Sequence, residues 1–185
     1  NSYVKAAEFL DDLPLIEDWG CGSTYAGRFF KRAEYIGIDG SSPMALLKAD
    51  LQTYQSNVPG ILMRHVLEHN RNWQRVLHNA IASFQRKFCL VMFLEFGPET
   101  REINCIMPAG IPEIVFREED ITGQLFKARL TWGKETIPQT RETIFYVLKS
   151  ESKLAPPRVP NPVLCEALVW PADATTNPIA EAACP

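Results

Sequence analysis

The sequence predicts an α/β fold in which a mostly parallel sheet is flanked by helices and closes on an antiparallel pair. Three observations carry this expectation. Short apolar runs, Leu15 to Trp19, Tyr35 to Asp39, Gly60 to Val66 and Lys87 to Leu94, alternate with stretches of helical periodicity. The last of these runs has no polar alternation, as expected of a strand buried on both faces. Two further runs, Lys127 to Trp132 and Glu142 to Lys149, follow each other with a turn and an extended loop between them, which reads as an antiparallel pair.

Taken in order, Ser2 to Asp12 reads as a short helix with Tyr3, Ala6, Ala7 and Leu10 on one face, Ser2 as its cap and Pro14 beyond its end. The first strand stops at Gly20-Cys21-Gly22, after which Ser23 or Thr24 is placed to cap a helix running to about Arg32. The second strand leads into Gly40-Ser41-Ser42-Pro43 and a short helical stretch, Met44 to Lys48. Between the third strand and the buried strand, Asn72 to Arg86 carries Trp73, Val76, Leu77, Ala80, Ile81 and Phe84 at helical spacing. Glu99 to Glu113 reads as irregular, and Glu118 to Phe126 as a short helix.

From Ser150 onward no period survives, and 7 of the 14 prolines lie between Ala155 and Pro185. The expected organisation is one domain over residues 1–150 and a Pro/Ala-rich extended tail or linker over 151–185. The chain opens on Asn1 rather than Met, as a module cut from a longer polypeptide would.

Composition narrows the function. A net charge of -3 over 185 residues argues against a protein that wraps nucleic acid by neutralising phosphates. No apolar run reaches the roughly 18 residues of a membrane helix, and the first residues lack a signal-peptide layout, so a soluble, cytoplasmic protein is expected. The five cysteines, at 21, 89, 105, 165 and 184, include no C-x-x-C pair, which disfavours a zinc knuckle or a disulfide framework.

The chemistry gathers at strand ends. Asp18-Trp19-Gly20-Cys21-Gly22 is a glycine turn between a strand and a predicted helix, where backbone approaches a ligand closely. A nicotinamide fingerprint, G-x-G-x-x-G, would need glycine where Tyr25 stands. Asp39 ends the next strand, placed to accept both ribose hydroxyls of a nucleoside lying across the strand ends. Asp50, followed by Leu51, is placed either to face an adenine amino group or to cap a turn.

These residues resemble the class I S-adenosylmethionine-dependent methyltransferases, over about Leu13 to Lys149. The resemblance implies a Rossmann-like sheet with a terminal hairpin and S-adenosylmethionine as cofactor, leaving as S-adenosylhomocysteine. It implies cofactor contacts from Asp18, Gly20, Cys21, Gly22, Asp39, Gly40, Asp50 and Leu51. Two departures stand out: Thr24 replaces a frequent third glycine, and only eleven positions separate Asp39 from Asp50. Both leave open a noncatalytic binding or scaffolding module that keeps the fold.

All three histidines fall within fourteen residues, in Arg64-His65-Val66-Leu67-Glu68-His69 and at His78. His65, at a strand end, is expected as general base toward an acceptor hydroxyl, with Glu68 or His69 orienting it. H-x-x-E-H is too loose a signal for zinc outside a protease context, and no metal is expected. The end of this strand lacks the Asn- or Asp-Pro-Pro-aromatic motif of amino-methylating enzymes, which favours oxygen as acceptor. With the shortened middle, the stretch is most similar to glycan-methylating modules, some fused to glycosyltransferases in large algal DNA viruses. Arg64, Glu95, Glu99 and Arg101 are the expected contacts to a carbohydrate or other small hydroxyl-bearing acceptor.

Overall fold

The computed structural model describes residues 1–150; the expected tail, 151–185, lies outside the described residues. Seven strands form one sheet in the order β3-β2-β1-β4-β5-β9-β8. These are β1 (Leu15–Trp19), β2 (Glu34–Asp39), β3 (Leu47–Lys48), β4 (Val58–Arg64), β5 (Phe84–Met92), β8 (Thr131–Thr136) and β9 (Thr143–Leu148). The first five run parallel, and β9 and β8 close the sheet antiparallel. Because β1 lies between β2 and β4, the chain reverses its direction of sheet growth there, and a crevice opens beyond the carboxyl ends of those strands.

Period-two alternation sends neighbouring residues to opposite faces. Ile61 and Met63 of β4 and Phe88, Leu90 and Met92 of β5 join one apolar cluster, while Leu62, Cys89 and Val91 join the other. The first face is covered by α2 (Trp73–Ser83) and α3 (Glu118–Lys127), through Val76, Leu77, Ala80, Ile121 and Leu125. The second is covered by α1 (Ser2–Leu10), through Ala6 and Leu10.

Several elements depart from the sequence reading, each for a local reason. The cap of α1 is Asn1, whose Oδ1 accepts the Tyr3 N–H at 2.9 Å, while Ser2 is buried and donates to Glu142. The helix expected from Ser23 to Arg32 is a single 3₁₀ turn, Tyr25–Phe29. The Asp11 carboxylate takes the N–H groups of Lys31, Arg32 and Ala33 at 2.9–3.0 Å, removing the donors that would have extended the helix. Met44 to Lys48 forms no helix, because Leu47 and Lys48 pair with Ile38 and Asp39 as β3.

The predicted helix Asn72 to Arg86 ends at Ser83, where Phe84 turns extended, pairs with Val58 and opens β5. Glu99 to Glu113 holds a hairpin, β6 (Arg101–Ile106) and β7 (Ile111–Val115), which forms its own two-stranded sheet. Residues of β6 are almost all exposed, so no hydrophobic alternation announced it. The first strand of the closing pair begins at Thr131 instead of Lys127, because α3 extends through Lys127 and Ala128 caps it.

Candidate active site

The crevice at the switch point is a cavity of about 430 Å³. It takes Gly20 from the end of β1, Asp39, Gly40 and Ser41 from the end of β2, and Asp50 and Leu51 from beyond β3. His65 and Val66 follow β4, His69 lies one turn later, and Ile111 of β7 forms part of the wall. Asp39, Gly40, Asp50, Leu51, His65 and His69, expected at one site, are thus brought together.

The glycine turn is held by the neighbouring strand. The N–H groups of Gly20 and Cys21 both donate to the Ile38 carbonyl, at 2.7 and 3.1 Å. Gly20 has φ +77°, and a Cβ there would lie 2.5 Å from Cγ2 of Val66, so the close approach needs glycine. Gly22, at φ +51°, donates its N–H to Oδ2 of Asp39 at 3.1 Å.

Asp39 Oδ1 accepts the N–H groups of Ser41 and Ser42, both at 2.8 Å. Burial works against its charge, but these N–H groups and that of Gly22 outweigh it and hold the carboxyl below the usual aspartate range. An ionised carboxylate therefore faces the cavity. Asp18, expected beside the cofactor, is instead buried beneath the turn and takes the Tyr35 hydroxyl at 2.5 Å. Burial pushes its pKa up to about 7 against that bond. Cys21 is also buried, and desolvation pushes its thiol up to about 12, so it is an inert packing residue.

His65 has a left-handed backbone, φ +58°, which is strained for a residue other than glycine. Its N–H bonds the Val91 carbonyl at 2.9 Å, and its Nε2 lies 2.8 Å from Oε1 of Glu142. Burial, then the Arg64 charge, pull its pKa down to about 4 in spite of Glu142. Glu142 is itself almost wholly buried; burial raises its pKa, but the Thr140 hydroxyl, Arg64, Ser2 and His65 hold it low. The ring is neutral near pH 7, with its proton on Nε2 facing the carboxylate and a lone pair on Nδ1.

His69 Nδ1 lies 2.9 Å from the Pro112 carbonyl, which can only accept, so Nδ1 carries a proton and donates it there. The two rings flank Phe93, with centroids 5.0 and 5.5 Å away.

Glu68 is placed differently from the sequence expectation. It is fully buried, its Oε1 takes the Phe93 N–H at 2.7 Å, and its Oε2 has no hydrogen-bond partner among the described residues. Burial raises its pKa to about 7. It anchors the end of β5 and does not line the cavity. Arg64 points away as well, donating to Ser2, Tyr3 and Glu142 at 3.0, 2.9 and 2.6 Å. Glu95 and Glu99 form long, exposed ion pairs with Arg141 and Arg101, at 3.5 and 3.4 Å, and none of the three expected contacts Glu95, Glu99 and Arg101 lines the cavity. Sequence reasoning missed Glu142 and Ile111, which are remote in the chain and carry no local motif.

No family model and no curated protein sequence matches the chain. Solved structures do. A Burkholderia thailandensis 1,6-didemethyltoxoflavin-N1-methyltransferase with its substrate and S-adenosylhomocysteine superposes at a TM-score of 0.62 and 14% identity, over 80% of this chain and 77% of that one. The fold is that of the S-adenosylmethionine-dependent methyltransferases. The mitomycin 7-O-methyltransferase MmcR matches at a TM-score of 0.61 and 11% identity, over 80% and 53%. The N-terminal domain of EvdMO1, crystallised in the presence of S-adenosylhomocysteine and D-fucose, matches at 0.57 and 12%, over 80% and 82%. This methyltransferase fold serves nitrogen and oxygen acceptors alike in those proteins, so the acceptor must be argued from the site.

Proposed function

We propose that the protein transfers a methyl group from S-adenosylmethionine to a hydroxyl oxygen, that of a sugar. The observation that carries this reading is one cavity joining the glycine turn, the ionised Asp39 and a neutral His65 held by Glu142. Its residues fit the cofactor. Asp39 offers an ionised acceptor to a ribose diol, Gly20 leaves room that a side chain would disturb, and Asp50 with Leu51 borders the far end for the base. Bound there, S-adenosylmethionine supplies an electrophilic methyl on a sulfonium and leaves as S-adenosylhomocysteine.

The chain's own residues orient the acceptor and receive its proton. A base with a pKa of about 4 does not ionise a free alcohol. It does take the proton as the oxygen forms its bond to carbon, because the oxygen then becomes strongly acidic. His65 Nδ1 is assigned that step, and Glu142 stabilises the imidazolium that results. Positioning supplies the larger part of the rate. A sugar is favoured as the acceptor class by the likeness to the EvdMO1 domain, which was crystallised in the presence of D-fucose.

Calorimetry with S-adenosylhomocysteine tests the cofactor half: binding is expected in the wild type and weakened about ten- to a hundredfold by Asp39→Asn. Methyl transfer to a panel of glycan acceptors, read by mass, tests the other half. Failure of the wild type to bind either S-adenosylmethionine or S-adenosylhomocysteine would refute the proposal.

A further inference from the structure

A second cavity, also of about 430 Å³, adjoins the His65–Glu142 pair and takes Glu142 into its wall. Its walls include Tyr3, Tyr25, Arg64, Gln139, Thr140 and Glu142. His65 lines the first cavity and Glu142 lines this one, so the 2.8 Å hydrogen bond between them joins the two walls.

The chemistry of the second cavity is specific. The one guanidinium and one carboxylate among its lining side chains are paired with each other at 2.6 Å, so no side chain there offers an unpaired charge to a phosphate or an ammonium. The guanidinium is further committed, lying 4.1 Å over the Tyr3 ring and donating to the Tyr3 hydroxyl and to Ser2. Tyr25, 43% exposed, meets the Tyr3 ring edge-on at 5.2 Å. Glu142 is asymmetrically used. Its Oε1 accepts from Ser2, Arg64 and His65, whereas its Oε2 accepts from the Thr140 hydroxyl at 2.8 Å. A carboxylate oxygen has room for another donor.

We propose that this cavity seats the acceptor as a neutral pyranose ring whose reacting hydroxyl extends past Glu142 into the first cavity, to Nδ1 of His65. The apolar face of the sugar lies against Tyr25, while Gln139, Thr140 and Oε2 of Glu142 bond its hydroxyls. Glu142 then serves both partners, holding His65 through one oxygen and reading the sugar through the other. This moves acceptor recognition away from Glu95, Glu99 and Arg101 to the turn between β8 and β9 and the residues after the glycine turn. The inference rests on the methyltransferase reading only for what the bound sugar is there to do.

The test uses the full chain and saturation-transfer NMR with three sets of probes: methyl glycosides of neutral hexoses, hexose phosphates with uronic acids, and oligosaccharides ending in the same neutral hexoses. Neutral glycosides are expected to bind, with Tyr25→Ala and Gln139→Ala each weakening binding by about five- to tenfold and Tyr25→Phe restoring it. S-Adenosylhomocysteine affinity, measured on the same variants by calorimetry, is expected to stay within twofold, which also shows that they fold. Tighter binding of the oligosaccharides than of the matching glycosides would identify a chain end as the acceptor, and equal binding a free sugar; either supports the site.

Preference for the anionic probes, or neutral binding indifferent to Tyr25→Ala, overturns the assignment. If S-adenosylhomocysteine binds but no neutral saccharide does, this inference fails and the cofactor reading stands. If neutral saccharides bind through Tyr25 but S-adenosylhomocysteine does not, the cofactor reading fails and the sugar site stands.

Discussion

Replacing Gly20 by alanine is the sharpest probe of how the glycine turn is built. Two separable costs are expected. The backbone sits at φ +77°, where an L side chain loses about 1–2 kcal/mol. The new Cβ would also stand 2.5 Å from Cγ2 of the buried Val66, and overpacking of that kind costs about 1–3 kcal/mol. The sum is about 2–5 kcal/mol, which lowers the melting temperature of a domain this size by about 5–15 °C. Gly22→Ala supplies the comparison. Its φ is +51° but its Cβ would meet nothing within 4 Å, so only the backbone cost applies, partly offset by a stiffer unfolded chain, leaving about 1 kcal/mol. Urea unfolding of Gly20→Ala, Val66→Ala and the double variant isolates the contact. Removing the Val66 methyls should recover about 1–3 kcal/mol of the Gly20→Ala loss as a coupling energy. Strict additivity in that cycle, or equal losses for Gly20→Ala and Gly22→Ala, would refute the packing argument. Because Val66 follows His65 directly, Gly20→Ala should also lower activity more than it lowers stability.

The other expected outcomes concern charge. Asp39→Asn removes a carboxylate that accepts three backbone N–H groups, and S-adenosylhomocysteine binding should weaken about ten- to a hundredfold by calorimetry; unchanged affinity would detach Asp39 from the cofactor. Glu68 is fully buried with a pKa raised to about 7, so the folded state holds a proton that the unfolded state releases near 4.5, and stability falls as pH rises between those values. Glu68→Gln should therefore gain about 3 kcal/mol on the wild type between pH 4 and pH 8, and a constant difference in urea titrations would contradict the burial argument. His65 must be neutral to take a proton, so kcat should hold from pH 8 down to about 5 and fall through about pH 4, where an unshifted histidine would already fail near 6.5. His65→Ala should cost about 10²–10⁴ in kcat with S-adenosylhomocysteine affinity intact, and a variant retaining wild-type kcat would remove it as the base.

How much of this was legible in the sequence followed from what each residue's local neighbours decide. The buried strands announced themselves, since Phe88 to Met92 alternate between two apolar faces and need no polar residue. Asp39, Asp50, His65 and His69 were legible because parallel strands of one sheet carry their carboxyl ends to one edge. The 3₁₀ turn after Thr24 was not. Its truncation depends on Asp11, twenty or more residues upstream, capturing three N–H groups. Glu142 stayed hidden for the same reason, as its partner His65 is 77 positions away. The β6–β7 hairpin gave no period to read, although Ile103, Ile106, Ile111 and Ile114 around Pro108 and Gly110 formed a usable β-branched signal. Glu68 misled because sequence spacing places it beside His69 but says nothing of direction. A carboxyl one turn beyond a strand end faces either the crevice or the core, and here it reaches the Phe93 N–H.

The two departures that favoured a noncatalytic module lose their force on the same kind of argument. Thr24, standing where a third glycine is frequent, keeps the left-handed backbone that glycine would supply, with φ +57°. The space for its side chain comes from the adjacent strand. Gly37 of β2 lacks a Cβ, and one placed there would lie 3.1 Å from Cγ2 of Thr24 and 2.9 Å from Sγ of Cys21. The turn therefore carries about 1–2 kcal/mol of backbone strain at Thr24. The shortened middle is absorbed in a similar way. The helix between the second and third strands is dispensed with, β3 shrinks to Leu47 and Lys48, and the Ala49 N–H bonds the Asp39 carbonyl at 3.3 Å. Asp39 and Asp50 both still border the cavity. Strain and deletion fall on the layer behind the site, while the edge that faces a ligand is kept.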